Sequence, residues 1–355
     1  MSDLVELDGS YGEGGGQILR TALTLSALMG RPLLIHDIRA RRDKPGLRPQ
    51  HLAVVRAMAQ ICGAQVEGDE LDSRTLRFEP TSLPVPGRYT FDISSMSGTG
   101  SAGSTTLLFQ ALFIALAFAD QPSTLELIGG THVAYSPPYH YISEVYLPMM
   151  WRAGFEVRLD LGMWGWYPRG GGQVTAHIQG VGREGQGLSP VAVEERGKLN
   201  QVWGVSAASN LPQHIIERQK EQAVARLRAR HLKADIVEVA PPSPGPGTML
   251  FLLAEYEHCL AGFTGYGKLR YPAERVADDA ADAFIAHLSS KAALDRHLAD
   301  QVLVPLAMVP GESRYTTAAI TQHLLTNRWV IQHFIEREIV IEGTEGGPGK
   351  VIIAA

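Results

Sequence analysis

The sequence predicts a mixed α/β (α+β) protein. Its plan is three tandem βαβαββ units around a pseudo-threefold axis, with an inserted smaller α/β domain of thioredoxin-like topology. Three observations lead there: one order of hydrophobic patterns recurs, the joints between helices and strands recur, and one long stretch breaks the pattern.

The first unit reads as strand LVELDG, helix GGQILRTALTLSALMG, strand PLLIHDIRA, helix RPQHLAVVRAMAQICG, and strands AQVEG and RTLRFEP. The second repeats that order with RYTFDIS, SAGSTTLLFQALFIALAFA, STLELIGG, YHYISEVYLPMMWRAG, FEVRLDLG and GQVTAHIQ. A third copy follows as helix AALDRHLADQVLVPLAMV, strand SRYTTAA, helix TQHLLTNRWVIQHFIER, and strands EIVIEG and KVIIAA. The joints ICGAQVEG, WRAGFEVRL and IEREIVIEG correspond, each passing from helix end to strand. No unit can bury its helical face alone, so helices are expected inward and sheets outward.

Residues 186–290 depart from this order. They read as strand QVWGVSAAS, helix QHIIERQKEQAVARLRARH, strand ADIVEVA, strands TMLFLLAEYE and LAGFTGYG, and helix PAERVADDAADAFIAHL. The expected division is a large domain of residues 1–185 and 291–355 and an insert of 186–290. The insert has no Cys-x-x-Cys, so a redox role is unsupported.

Composition narrows the function. The chain has 355 residues, 45% apolar and 19% charged, which suits a globular enzyme with a filled core. The longest apolar run, TTLLFQALFIALAFA, carries Gln110 and is shorter than the roughly 18–20 residues that span a bilayer. It reads as a buried helix. The start MSDLVELDG resembles no secretory leader, and Cys62 and Cys259 are expected as buried free thiols, so a cytoplasmic protein with no membrane partner is expected. Net charge is −5, from 32 basic and 37 acidic residues, which argues against coating long nucleic acid. Positive charge is instead local, in RARRDKPGLRPQH, so a nucleic-acid substrate would be gripped by a short piece such as an end.

Four stretches can carry chemistry. GEGGGQILR, at Gly12–Arg20, is a glycine-rich turn opening a helix, where free N–H groups suit phosphate. It lacks the lysine of a P-loop and the parallel unit of a dinucleotide fold. Glu13 stands within it, so either the stretch is only a tight turn or a cation stands between that acid and a phosphate. RARRDKPGLRPQH sets arginines beside Gln50 and His51 at a helix start, either a solvated face or a phosphate clamp. In RHLADQ, His297, Asp300 and Gln301 share one expected helix face, either wet or reading a nucleoside. In TQHLLTNRW, Thr321 is a plausible N-cap. His323 then falls in the first turn, where the helix dipole keeps imidazole neutral, and Asn327 lies one turn on.

Together with GGTHVAYSPPYHY and YPRGGG, these motifs stand in an order that resembles the RNA 3′-terminal phosphate cyclases over essentially the whole chain. The resemblance implies an enzyme that uses ATP to convert an RNA 3′-phosphate into a 2′,3′-cyclic phosphodiester, releasing AMP and pyrophosphate. It implies that His323 becomes adenylated, and that His297, Leu298, Ala299, Asp300 and Gln301, with Gln110, hold the nucleotide. Glu13 would contact the triphosphate and its Mg²⁺ or Mn²⁺, while Arg20, Arg39, Arg42, Gln50 and His51 would surround the RNA phosphate. RNA 3′-phosphate ends and ATP are the implied partners, with DNA ends and protein partners left open. His297 stands where the family often has a tyrosine packing on adenine, and Ala134 where many members have proline.

Adenylation suits this substrate because oxide is a very poor leaving group, whereas AMP leaves readily from an anhydride. Three rivals remain. A non-catalytic cyclase-like ribosome-assembly scaffold lacks the histidine nucleophile. An enolpyruvyl transferase needs six such units, and a lysine-based nucleotidyl transferase needs a K-x-D-G stretch that is not present here.

Overall fold

The structure is a computed structural model, which describes residues 4–97 and 102–355. Alternation of apolar and polar residues puts one face of each strand against a helical core, and the strands form four four-stranded sheets among the described residues. The fold is therefore mixed α/β, in several small mixed sheets.

First in the chain come β1 (Val5–Asp8), α1 (Gly16–Met29), β2 (Leu33–His36), α2 (Pro49–Cys62), β3 (Gln65–Glu67) and β4 (Leu76–Glu79). Their sheet runs β1-β2-β4-β3, with β1 and β2 parallel and β4 antiparallel to both neighbours. Of the expected strand PLLIHDIRA only Leu33–His36 forms, because Asp37 turns to a left-handed φ of 52°. Helices α1 and α2 stop at Gly30 and Gly63, whose φ of 61° and 59° let the last carbonyls be capped.

Next are β5 (Arg88–Asp92), α3 (Ile93–Ser97), α4 (Thr105–Ala117), β6 (Ser123–Gly129), α5 (Tyr139–Tyr141), a π-helical turn (Ile142–Tyr146), α6 (Leu147–Arg152), β7 (Val157–Met163) and β8 (Gly172–Ile178). The sheet order is β5-β6-β8-β7. Helix α4 is the apolar run noted in the sequence; nearly every residue in it is buried, and no helix among the described residues is long and apolar enough to cross a membrane.

The C-terminal sheet runs β9-β14-β16-β15, from β9 (Ala192–Val193), β14 (Ser313–Thr317), β15 (Ile339–Gly343) and β16 (Gly349–Ile353). Strand β9 is parallel to β14, so two residues expected inside the insert pair with this sheet instead. Between β9 and β14 lies the fourth sheet, β11-β10-β12-β13, built from β10 (Leu199–Ser209), β11 (Asp235–Val239), β12 (Gly247–Tyr256) and β13 (Leu260–Tyr266). It is flanked by α7 (His214–Arg228) and α8 (Ala273–Ser290), which pack on each other.

The expected helix AALDRHLADQVLVPLAMV is broken. Only α9 (Leu298–Gln301) and α10 (Leu303–Ala307) are helical, and Asp295 accepts from the backbone N–H of His297 and Leu298 to start α9. Helix α11 (Gln322–Phe334) then packs on α1, which also meets α2 and α4. Burial of side chains such as Leu23, Phe109, Leu324 and Ile331 stabilises this helical centre by about 1.5–3 kcal/mol each.

One buried group sets a pH response. His287 on α8 is 3% exposed, neither ring nitrogen has a partner, and Tyr256 and Phe263 face the ring. Burial pushes its pKa down to about 4, against the pull of Asp295. The folded value lies below the unfolded one, so the unfolded chain binds more protons as pH falls through 6.5, and stability drops. The loss is roughly 1 kcal/mol per pH unit until the folded value is reached. His132 and His140, also buried with lowered values, act in the same direction. The denaturant midpoint should therefore fall between pH 7 and pH 5, and His287→Phe should flatten that dependence without removing it.

Candidate active site

The loop between β1 and α1 turns back tightly. Gly12 and Gly14 take φ of 57° and 56°, and the Gly14 N–H donates to the Tyr11 carbonyl at 2.9 Å. A β-carbon on Gly12 would lie 2.5 Å from Oγ1 of Thr326 on α11, so loop and helix are in direct contact. Tyr11 extends that contact by stacking on Trp329, with centroids 4.1 Å apart and planes 11° off parallel.

This docking brings Glu13 to His323 across the length of the chain. Glu13 Oε2 lies 3.1 Å from His323 Nε2 and accepts from Arg42 Nη2 at 2.9 Å. His323 sits in the first turn of α11, whose N-cap Thr321 accepts from the Leu324 N–H at 3.1 Å. The other ring nitrogen, Nδ1, faces Asp300 Oδ2 at 3.9 Å. Burial lowers the His323 pKa, with Glu13 opposing and Arg20 and Arg42 assisting, so the ring is neutral at neutral pH.

Asp300 is nearly inaccessible. Burial first, and the Asp295 charge second, push its carboxyl up to about 8, with Arg20 holding it back. Gln17 on α1 donates to Asp300 Oδ2 at 3.5 Å and to the His323 carbonyl at 3.0 Å. Asn327 makes no hydrogen bond to the His323 ring among the described residues. Its amide donates to the Asp300 carbonyl at 2.9 Å and its oxygen accepts from Thr21 at 2.7 Å, which braces α1, α9 and α11 together.

The basic cluster borders the same loop. Burial lowers the Arg20 pKa to about 10, and Asp300 opposes that shift. His51 is buried in the first turn of α2; its Nδ1 accepts from the Arg48 N–H at 3.1 Å, so Nε2 carries the proton and is free to donate. Burial, then Arg39, Arg20 and Arg48, push its pKa down to about 3. Gly16 is glycine because a β-carbon there would lie 2.2 Å from that Nε2. Arg39, with φ of 54°, donates to the carbonyls of Lys44 and Gly46, and so shapes its own loop. Gln50 follows in α2 and borders Gly103.

Of the nucleotide set, Gln110 donates to Gln301 Oε1 at 2.7 Å, which joins α4 to α9. His297 stands at the position just before α9, where Asp295 rather than its own side chain does the capping, and is not within a helix as expected. Leu298 and Ala299 are wholly buried, and the Ala299 carbonyl accepts from Tyr315 at 2.7 Å, so their side chains line no opening. Gln17, Thr21 and Asp295 were not singled out from sequence. The signal available was a polar residue on an otherwise apolar helix face for the first two, and an Asp before a short helix for the third.

Glu13 offers one carboxylate, with no second acidic ligand beside it. Among the described residues the trio close enough to share a metal is Asp8, His36 and Asp37, outside this site. A single carboxylate fits a hard divalent ion whose remaining positions are taken by phosphate oxygens and water.

A family model described as RNA 3′-terminal phosphate cyclase matches residues 11–341. The chain belongs to the RNA 3′-terminal phosphate cyclase family. Curated proteins of that name include one from Nostoc punctiforme, 45% identical over 93% of this chain and 94% of its own length. Another, from Methylococcus capsulatus, is 45% identical over 99% and 96%, and a third, from Methanopyrus kandleri, is 41% identical over 98% of each chain. This cyclase-family chain is an enzyme of that type. Among solved structures, the enolpyruvyl transferase NikO of Streptomyces tendae aligns at 11% identity with a TM-score of 0.26, which supports no relationship.

Gly12→Ala should disturb this site more than most loop changes. It would force an L-residue into a left-handed φ, at about 1–2 kcal/mol, and push the new methyl into Thr326. A lower thermal midpoint and weaker alkylation protection of His323 are expected, read by calorimetry and by carbethoxylation of the ring.

Proposed function

We propose that the enzyme cyclises RNA 3′-phosphate ends at the expense of ATP, through an AMP adduct on His323. The single observation carrying this is the neutral His323 ring, held between Glu13 and Asp300 with Arg20 and Arg42 near it. No other side chain in the site combines a nucleophilic atom with that exposure and setting.

In the first step His323 Nε2 attacks the α-phosphorus of ATP. The N–P bond forms, the bond to the bridging oxygen breaks, and pyrophosphate leaves. In the contact with Glu13, which can only accept, Nε2 carries the ring proton, so for attack Nε2 leaves Glu13 and the proton moves to Nδ1, facing Asp300. An oxygen of the RNA 3′-phosphate then attacks the same phosphorus, the N–P bond breaks, and RNA(3′)pp(5′)A forms. Finally the 2′-hydroxyl oxygen attacks the 3′-phosphorus, the bond from that phosphorus to the bridging oxygen breaks, AMP departs with that oxygen, and the hydroxyl proton passes to AMP or to water. Arg20, Arg42 and the Nε2–H of His51 hold anions that would otherwise repel each other. Arg39 and Gln50 complete the phosphate-binding loop and helix start.

Gln110 and Gln301, together with His297 and the α9 backbone, form the nucleoside side of the pocket in this reading. Glu13 is the protein ligand for Mg²⁺ or Mn²⁺, which when bound would neutralise phosphate charge. Its present partners, Arg42 and His323, would then be released toward the substrate.

The architecture is read as three units of one plan. Three sheets share the order first, second, fourth, third, and in the third unit the insert separates the first strand from the first helix. The insert, with its βαβββα order, is taken as thioredoxin-like. Two free buried cysteines are in keeping with the cytoplasm.

Incubation with α-labelled ATP, denaturation and peptide mapping test the mechanism. Label is expected on the peptide carrying His323 and is expected to vanish in His323→Ala, with cyclisation of 3′-phosphorylated RNA lost; label elsewhere, or none, defeats the reading. Glu13→Ala is expected to raise the Mn²⁺ concentration needed for half-maximal labelling by about tenfold, one lost ionic ligand being worth on the order of 1.4 kcal/mol. An unchanged requirement removes Glu13 from the metal.

A further inference from the structure

Three large apolar side chains stand further into solvent than any others among the described residues: Tyr135 at 104% of its reference exposure, Leu269 at 92% and Tyr167 at 73%. They come from different parts of the chain. Tyr135 follows β6, Tyr167 lies between β7 and β8, and Leu269 lies between β13 and α8.

Backbone contacts draw these three loops together. The N–H groups of Thr131 and His132 both donate to the Gly165 carbonyl, and His132 bridges Trp166, so the Tyr135 and Tyr167 loops run side by side. A β-carbon on Gly247 would collide with the Trp166 ring at 2.2 Å, and the Gly267 N–H donates to the Thr248 carbonyl at 2.8 Å. The insert's loops are thus seated on the Tyr167 loop. Arg169 adds a bond to the Pro244 carbonyl at 3.0 Å.

The four loop segments of this face carry cations and no acid, with Asp279 of α8 at its edge accepting from Tyr271, over whose ring Lys268 Nζ sits at 4.6 Å. Arg169, Lys268 and Arg270 belong to the face, none of them ion-paired among the described residues, while residues 130–142, 164–173, 241–249 and 266–272 contain no Asp or Glu. In a protein of net charge −5 that is a local positive strip studded with aromatic rings. Apolar rings left in water beside unpaired cations are the elements by which proteins hold single-stranded nucleic acid.

The strip is continuous with the phosphate end of the active site. Gly103 approaches Gln50 so closely that its β-carbon would be 3.4 Å from that of Gln50, and its carbonyl accepts from the Gly130 N–H at 2.8 Å. A β-carbon on Gly170 would sit 3.0 Å from the Ala102 backbone. One wall therefore leads from Gln50 to the loops of Tyr135 and Tyr167.

We propose that this face is the track for the single-stranded RNA upstream of its terminal phosphate. Tyr135 and Tyr167 stack on nucleobases, Arg169, Lys268 and Arg270 meet the phosphodiester backbone, and the insert supplies one side of the substrate surface. This deepens the functional reading above and rests on it for the placement of the RNA end.

Two variants test it separately: Tyr135→Ala with Tyr167→Ala, and Arg169→Ala with Lys268→Ala and Arg270→Ala. Each is compared with the unmodified enzyme on 3′-phosphorylated oligoribonucleotides of about two and about ten nucleotides, a span that bracketed single-strand sites cover. Loss of the rings is expected to raise KM for the longer RNA about tenfold, the low end for lost base stacking, and to leave KM for the shorter RNA and the AMP labelling of His323 unchanged. Loss of the cations is expected to flatten the salt dependence of binding to the longer RNA. Unchanged KM for the longer RNA overturns the proposal, as does an equal rise for both lengths. A shift confined to elution volume on a sizing column also overturns it, since the face would then dock protein. Fluorescence anisotropy of the longer RNA gives a binding readout independent of turnover, so absence of AMP label in the unmodified enzyme would defeat the functional reading without deciding the track.

Discussion

The contact between α1 and α11 is the constraint on which the site depends. Thr21 and Asn327 share a buried hydrogen bond of 2.7 Å across 306 positions of sequence, and Gln17 spans the same gap to reach the His323 carbonyl. Asn327 extends the brace to Asp300 on α9. Each of these bonds contributes about 0.5–1.5 kcal/mol net, but leaving one partner buried alone costs about 1–3 kcal/mol, so the helices have one favourable register. Within that register the glycine loop lies against α11 and Glu13 meets His323.

Burial gives the site an electrostatic character that charge counting does not. His51 and His323 are held neutral, and the Asp300 carboxyl is pushed toward its protonated form. Arg20, lowered only to about 10, keeps its charge. What results is a pocket with fixed cations, neutral hydrogen-bonding rings and one accessible carboxylate at Glu13, a setting that favours polyanions over isolated neutral ligands. The overall negative charge of the protein is no obstacle, because exposed acids more than a Debye length away are screened by solvent.

Glycine serves a second purpose away from the turns. At Gly103, Gly130 and Gly170 the absence of a side chain lets loop backbones touch, which joins α2 to the second sheet's exposed loops. The segment carrying Pro244 and Gly247 then packs on those loops, Gly247 against Trp166 and Pro244 against Gly171. A surface assembled this way is drawn from four stretches of sequence, none of which looks notable alone.

Local patterns were readable directly. The α/β class, the N-cap at Thr321, the placement of His323 in a first helical turn and the buried character of α4 all follow from interactions within a few residues, and the structure agrees with them. The break before α9 is not legible because the apolar periodicity runs through it, while the Asp295 cap that starts the helix is itself fixed by Tyr141, 154 positions away. For Asn327 the spacing from His323 is visible in the sequence, but its hydrogen-bond partners, 27 and 306 positions away, are not. The sequence by itself determined which elements form and which residue types could do phosphoryl chemistry, since those depend on short-range periodicity and side-chain chemistry. Only the tertiary structure decided which of those residues meet, which are buried and how their protons are held, because those properties arise from packing between segments hundreds of residues apart.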